Sequence, residues 1–80
     1  MPTKPLTHKQ GQYLAFIHYY CKVNGQPPAE ADMQRYFRVS PPSAHQMTLT
    51  LEANGFLERT HGEGRSIRLR LAREDRPDLE

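Results

Sequence analysis

Side chains that can hydrogen-bond with the edges of bases are grouped in the middle of this 80-residue chain. Gln46 can pair bidentately with adenine N6 and N7, Ser43 can bond a base or a phosphate, and His45 can donate to guanine or to a phosphate. Leu49 can contact a thymine methyl group, but a protein contact or partial burial explains it equally well. Thr50 faces solvent or a partner beside it. A solvated helix face is the alternative explanation for these residues. If these residues bind a nucleic acid, they do so through hydrogen bonds and methyl contacts to its bases.

A second polar group occupies a glycine-containing turn closer to the end of the chain. His61 and Arg65 flank the segment Gly62-Glu63-Gly64. A turn with so little side-chain bulk can approach a phosphate or a minor groove. Glu63 at the same tip would repel phosphate, and an ordinary solvated turn is the alternative. We therefore expect His61 and Arg65 to lie at the edge of any nucleic-acid surface.

No arrangement for catalysis or metal binding accompanies these two groups. The sequence contains no triad in a recognisable context and no phosphate-binding loop, so we expect a protein that is not an enzyme and has no cofactor. The histidines lack chelating spacing on one helix face, and no carboxylate or thiol completes a metal-ligand set. These histidines are His8, His18, His45 and His61.

Composition limits the chain to one small domain without a membrane span. Hydrophobic residues make up 36% of it and charged residues 25%, which fits a small folded domain. No run approaches the roughly 20 apolar residues of a membrane helix, and residues 1–5 lack the apolar stretch of a signal peptide. The single cysteine excludes an internal disulfide. These features predict a cytoplasmic protein with no membrane partner.

The net charge of +2 is unevenly distributed along the chain. Residues 73–80 contain two arginines and four carboxylates, which leaves nine basic and five acidic side chains in the first 72 residues. A modestly basic body is compatible with a nucleic-acid partner. We expect a flexible leader over residues 1–5, one folded domain over 6–72 and a disordered acidic tail over 73–80.

Capping signals predict where the first helix begins and ends. Thr7 and Gln10 form a capping box, in which each side chain bonds the backbone N–H of the other residue. The helix runs to about Asn24, and Gly25 supplies the left-handed residue that ends it. Its apolar stripe consists of Leu14, Ile17 and Cys21, widened by Tyr13, Phe16 and Tyr20.

Two shorter helices follow. The second covers about residues 29–37, after a stiff Gln-Pro-Pro segment. Ser40 followed by Pro41 begins the third, which Gly55 ends. About three residues link the two helices, as in a helix-turn-helix. The faces predicted to be buried contain Met33, Tyr36 and Phe37 in the second helix and Ala44, Met47, Thr48 and Leu51 in the third.

After Gly55 the hydrophobic period changes from 3.6 to 2. This predicts strands over 56–59 and 66–71, joined by the glycine-containing turn. Arg68 and Arg70 point outward by alternation and either contact DNA or protect an edge strand from further pairing. We expect Arg59 to pair with a carboxylate across the hairpin or to reach the backbone. The predicted fold is mainly α with a small β-hairpin, a winged helix-turn-helix with three helices and a two-stranded wing.

Two motifs and a set of scattered residues match a known pattern. The motifs are Gly-x-Pro-Pro over 25–28 and Arg-x-Ile-Arg-Leu over 65–69. The scattered residues include Leu6, Thr7, Gln10, Phe16, Ile17, Met33, Phe37, Ser40, Pro41, Ala44, Leu51 and Glu52. With them, residues 6–71 resemble the N-terminal DNA-binding domain of the LexA repressor family. Residues 51–59 also resemble MarR-type regulators.

The resemblance implies that the third helix lies in the major groove of double-stranded DNA with the hairpin beside it. Transferred position by position, the surface which that family uses on DNA contains Ser40, Pro42, Ser43, His45 and Gln46, with Arg65 in the wing. Ala29 and Arg38 stand where the family usually has a capping Thr and a helix-ending Gly. The family's self-cleaving and dimerising domain does not occur in the sequence, so we expect no self-cleavage.

Two functions remain open at this point. One is a bacterial-type transcriptional regulator that binds double-stranded DNA sequence-specifically. The other is a winged-helix adaptor that binds proteins and has no DNA target, which is favoured by the absence of Lys and Arg from Val39 to Glu58. A small domain binds DNA weakly as a monomer, so a homodimer on half-sites about 34–36 Å apart is a further hypothesis.

Overall fold

The computed structural model describes residues 6–70, which fold into three helices followed by a two-stranded hairpin. Helix α1 covers His8–Asn24, α2 covers Glu30–Phe37 and α3 covers Pro41–Ala53. Strand β1 covers Leu57–Glu58 and strand β2 covers Arg68–Leu69. The predicted winged helix-turn-helix is confirmed. The leader over 1–5 and the acidic tail over 73–80 lie outside the described residues.

Helix α1 begins and ends at the predicted signals. The Thr7 hydroxyl accepts from the Gln10 N–H at 3.1 Å, and the Gln10 side chain accepts from the Thr7 N–H at 3.1 Å. Gly25 closes the helix with φ of 74°, a conformation that costs glycine little because it has no Cβ. The long helix is therefore fixed at both ends by local chemistry.

Helix α2 begins one residue later than predicted, after an N-cap residue that has no side-chain acceptor. Ala29 occupies the cap position, and Asp32 accepts from its backbone N–H at 2.8 Å. This is half of a capping box, because Ala29 cannot return a hydrogen bond. Arg38 ends the helix with φ of 55°, a left-handed conformation that glycine adopts with less strain.

Helix α3 follows a link of three residues, as the helix-turn-helix prediction requires. The Ser40 hydroxyl accepts from the Ser43 N–H at 3.3 Å. At the other end the last helical residue is Ala53, and Gly55 adopts φ of 82°. The N–H of Phe56 donates to the carbonyl of Leu51 at 3.0 Å, which completes a Schellman ending.

One hydrophobic core joins all three helices to the hairpin. Tyr13 stacks on Phe37 with ring centroids 4.1 Å apart, which ties α1 to the end of α2. Tyr36, predicted to be buried, lies at the rim and is 46% exposed, although its ring stacks on Phe16 at 4.6 Å. The buried cluster consists of Tyr13, Leu14, Phe16, Ile17, Met33, Leu51, Phe56, Leu57 and Ile67.

The hairpin pairs as predicted, but its regular strands are shorter than 56–59 and 66–71. Leu57 lies opposite Leu69, and Glu58 lies opposite Arg68. Beyond this pairing the Ser66 hydroxyl accepts from the Thr60 N–H at 3.0 Å, so a side chain replaces the next backbone contact. The strands are shorter because this side-chain bond ends the ladder toward the turn.

None of the three helices within residues 6–70 is long and apolar enough to cross a bilayer.

Candidate nucleic-acid interface

The outer side of α3 carries the polar residues that the sequence grouped together. Ala44, Thr48 and Leu51 are buried on the inner side of the helix. Met47 packs against the core beside them. Because an α-helix turns 100° per residue, the opposite side of α3 is turned away from the core. Of the seven predicted residues in α3 or at its N-cap, five are exposed, namely Ser40, Pro42, Ser43, His45 and Gln46. Leu49 and Thr50 are partly buried.

The N-terminal end of α3 offers no free backbone N–H to an anion. Pro41 and Pro42 have no N–H, the Ser43 N–H donates to the Ser40 hydroxyl, and the Ala44 N–H donates to the Ser40 carbonyl. The two serine hydroxyls also bond each other at 2.9 Å. A phosphate at this end would therefore meet hydroxyl groups rather than the helix dipole donors that usually bind anions.

The Gln46 side chain is exposed, and its amide forms no hydrogen bond within residues 6–70. Both its donor and its acceptor are therefore free for an external partner.

Five charged or titratable side chains form an ion-pair network along one edge of α3. His45 Nδ1 lies 3.0 Å from Glu30 Oε2, and Arg59 Nη1 lies 3.1 Å from the same oxygen. Arg59 Nε contacts Glu52 Oε1 at 3.3 Å, and His61 Nε2 contacts Glu52 Oε2 at 3.3 Å. This network links the start of α2, both ends of α3 and the hairpin turn, and it joins two of the predicted site residues.

Arg59 lies against α2 and α3 and does not pair across the hairpin as predicted. It follows Leu57 by two positions, so strand alternation directs its side chain toward the helices rather than across the hairpin. Its side chain is only 16% exposed. The expected cross-hairpin pair is made instead by Glu58, which contacts Arg68 at 3.0 Å and Arg70 at 2.9 Å.

These contacts give the outward arginines of the hairpin a partner within the hairpin. The hydrogen bond from Arg68, together with the charges of both arginines, lowers the pKa of Glu58. Arg68 and Arg70 remain exposed, so their guanidinium groups face solvent on the outer side of the hairpin. The two explanations for these arginines, edge protection and DNA contact, both remain compatible with this placement.

Arg65 is held against the helices. Its Nη1 lies 3.0 Å from the Tyr20 hydroxyl, 3.0 Å from Asp32 Oδ2 and 3.4 Å from the Pro27 carbonyl. The hydrogen bond to Tyr20 and the charge of Asp32 raise the pKa of Arg65. The side chain is 38% exposed. Any phosphate contact by Arg65 therefore has to coexist with this ion pair.

Asp32 is the buried centre of these contacts. Its side chain is 7% exposed and accepts from the Ala29 N–H, from Arg35 at 2.6 Å and from Arg65. The bond from the Ala29 N–H, assisted by Arg65 and Arg35, lowers the pKa of Asp32. The carboxylate thereby fixes the turn of the wing to the start of α2.

No metal centre occurs in the part of the chain that the structure describes. No group of three or more His, Cys, Asp or Glu side chains within residues 6–70 is placed to hold a metal ion. His45 and His61 pair with carboxylates in the ion-pair network instead.

Comparison with known proteins agrees with this architecture. A family model described as the LexA DNA binding domain matches residues 3–66. The chain belongs to the LexA DNA-binding domain family. The LexA repressor of Thermotoga neapolitana is 36% identical over 76 residues, which are 95% of this chain and 39% of that protein. The LexA repressor of Thermosipho melanesiensis is 38% identical over 66 residues, which are 82% of this chain and 33% of that protein.

These matches confirm the predicted resemblance to LexA and identify the domain as a DNA-binding one. The chain spans less than two fifths of the length of the LexA repressors of both organisms. The activity of the rest of those repressors belongs to those proteins and is not assigned to this chain. The likeness to MarR-type regulators stays a prediction.

Three side chains that shape the interface were not predicted from the sequence to lie there. Glu30 and Asp32 were not predicted to make these contacts, and Arg59 was predicted to pair across the hairpin or to reach the backbone. For Arg59 a signal existed, because alternation places it on the same face as Leu57. For the two carboxylates no local pattern indicates partners 15 to 33 residues away.

Proposed function

We propose that this domain binds double-stranded DNA sequence-specifically and acts as a transcriptional regulator in the cytoplasm of a bacterium, without catalytic activity of its own. Helix α3 lies in the major groove with its outer side against the bases, and the hairpin lies beside it along the backbone. The observation that carries the proposal is the exposed outer side of α3, with the free amide of Gln46 at its centre.

The predicted contacts divide into two kinds. Ser43, His45, Gln46, Leu49 and Thr50 face the bases, where hydrogen bonds and methyl contacts distinguish base pairs. Ser40, Pro42, His61 and Arg65 lie at the edges, where they contact the backbone and set the register of the helix on the duplex. With no Lys or Arg on α3, the wing and the serine hydroxyls supply the backbone contacts.

Salt dependence tests whether DNA is the partner. The affinity for a duplex should fall linearly in log[salt], with a slope of about −0.9 for each phosphate neutralised, because counterions are released on binding. Fluorescence anisotropy with a labelled duplex at several salt concentrations measures the slope. A protein-binding adaptor would give no measurable affinity for any duplex even at low salt, and that result would defeat the proposal.

Gln46→Ala is expected to relax sequence preference at one base pair. The lost bidentate contact is worth about 1–3 kcal/mol of discrimination against the wrong base, while contacts to phosphate are unchanged. Selection from a randomised duplex pool compares the variant with the parent domain. Gln26→Ala removes an exposed amide from the link between α1 and α2, so it should leave the selected sequence unchanged.

A symmetric homodimer is part of the same proposal. Two copies on half-sites about 34–36 Å apart would raise the affinity of a small domain. Light scattering at micromolar concentration, with and without a two-site duplex, measures the stoichiometry. A strict monomer under both conditions excludes dimerisation by this domain.

A further inference from the structure

The ring of His45 is oriented by a residue outside α3. Its Nδ1 lies 3.0 Å from Glu30 Oε2 and 3.1 Å from Glu30 Oε1, so both carboxylate oxygens surround one ring nitrogen. Glu30 is held in turn by Arg59, whose Nη1 donates to Oε2 at 3.1 Å. The carboxylate is 27% exposed, whereas the imidazole is 51% exposed. The anchored side of the ring is thus the Nδ1 side.

The chemistry of the carboxylate decides which nitrogen carries the proton. A carboxylate that accepts from a guanidinium has acceptor capacity only, so His45 Nδ1 must be the donor. In the neutral ring the other nitrogen, Nε2, is then an acceptor. Within residues 6–70 no other group bonds Nε2. The free hydrogen-bonding atom of this exposed ring is therefore a defined acceptor.

The other charged groups around the ring belong to the same network. Arg59 connects Glu30 to Glu52, and Glu52 contacts His61 on the hairpin turn. With both histidines neutral the five side chains carry one net negative charge. The tautomer that donates from Nδ1 to Glu30 is the one that suits this charge.

We propose that Glu30 is a positioning residue that sets the polarity of the base contact made by His45. The neutral ring presents Nε2 as an acceptor, which fits the amino groups of cytosine N4 and adenine N6 in the major groove. A ring released from Glu30 can instead present Nε2–H as a donor, which fits guanine O6 and N7. Glu30 therefore biases the base preferred opposite His45 toward one that presents an amino group. This inference rests on the proposed function, because it requires α3 to face the bases.

The first test uses the free domain and needs no DNA. The ¹⁵N chemical shifts of the imidazole at pH 8.5 distinguish the two neutral tautomers. We expect the Nδ1–H form for His45 in the parent domain. In Glu30→Ala, where the acceptor is lost, we expect a shift toward the Nε2–H form that unrestrained histidine prefers. A parent domain with His45 in the Nε2–H form overturns the inference.

The second test measures base preference. The parent domain is used at pH 8.5 to select from a pool of 24-base-pair duplexes with a randomised centre, and the position that loses preference in His45→Ala identifies the contacted base. At that position we expect cytosine or adenine. The preference should be about 2- to 12-fold, the range of one net hydrogen bond.

Variants of Glu30 separate positioning from simple stability. Glu30→Ala should lose the preference for an amino group at pH 8.5 while retaining binding to the rest of the site. Glu30→Gln keeps an oxygen acceptor and should restore part of it. Glu58→Ala removes a carboxylate that also holds two arginines but lies outside the network, so its selected sequence should match the parent. Well-dispersed amide spectra verify that each variant is folded.

The outcomes distinguish this inference from the proposed function. A parent domain that selects no duplex defeats both. A parent domain that prefers guanine or thymine opposite His45, or a Glu30→Ala variant with an unchanged preference at pH 8.5, defeats the inference and leaves DNA binding intact.

Discussion

Leu51→Ala is expected to lower the free energy of unfolding by about 2–5 kcal/mol, the range for removing a buried leucine and leaving a cavity. Leu51 is 1% exposed and belongs to the cluster that joins α3 to the rest of the core. The free energy of unfolding of a domain of this size is only a few kcal/mol, so the variant should be largely unfolded at 37 °C. Urea denaturation followed by circular dichroism measures the change.

Leu49→Ala is the matched control for this prediction. Leu49 carries the same side chain two positions earlier and is only partly buried on the outer side of α3. Its removal should cost less than about 1 kcal/mol of stability and should instead weaken binding to DNA. Equal losses of stability in the two variants would mean that the helix is rotated relative to the structure described above.

Asp32→Asn is expected to reduce stability by about 1–3 kcal/mol, because a neutral amide cannot satisfy the Ala29 N–H, Arg35 and Arg65 together. The loss should loosen the hairpin turn from α2. Thermal unfolding at neutral pH measures the stability, and amide exchange over residues 60–66 measures the loosening. A variant as stable as the parent would show that Asp32 is not the anchor of the wing.

The same substitution should change how stability depends on pH. The contacts of Asp32 lower its pKa in the folded state, so its contribution is complete above the unfolded value of about 3.9. That contribution is lost as the pH falls below this value and through the folded pKa. The parent domain should therefore lose stability in this acid range more steeply than Asp32→Asn. Parallel slopes for the two proteins would contradict the assignment.

Local signals predicted the elements of the fold because their chemistry is local. Thr7, Ser40 and Gly55 act through hydrogen bonds or backbone angles within five residues, and each one begins or ends a helix where the sequence predicts. Period-two alternation placed Ile67 inside and Arg68 outside. The strand lengths were overestimated because a hydroxyl contact from Ser66 replaces backbone pairing.

The side-chain network around the interface could not be predicted in the same way. Glu30 meets His45 and Arg59 only after three helices and the hairpin have packed together. Asp32 meets Arg65 at a separation of 33 residues. Whether a polar residue on α3 is free, as Gln46 is, or oriented by a neighbour, as His45 is, depends on these tertiary contacts.

Chemical-shift mapping shows whether the outer side of α3 contacts bases. A ¹⁵N-labelled domain is titrated with the duplex enriched by selection. We expect the largest changes at the backbone amides of residues 43–50 and at the side-chain amide of Gln46, with smaller changes at His61 and Arg65. Changes concentrated on the exposed face of α1 around Tyr19 and Val23, or no changes at saturating duplex, would contradict it.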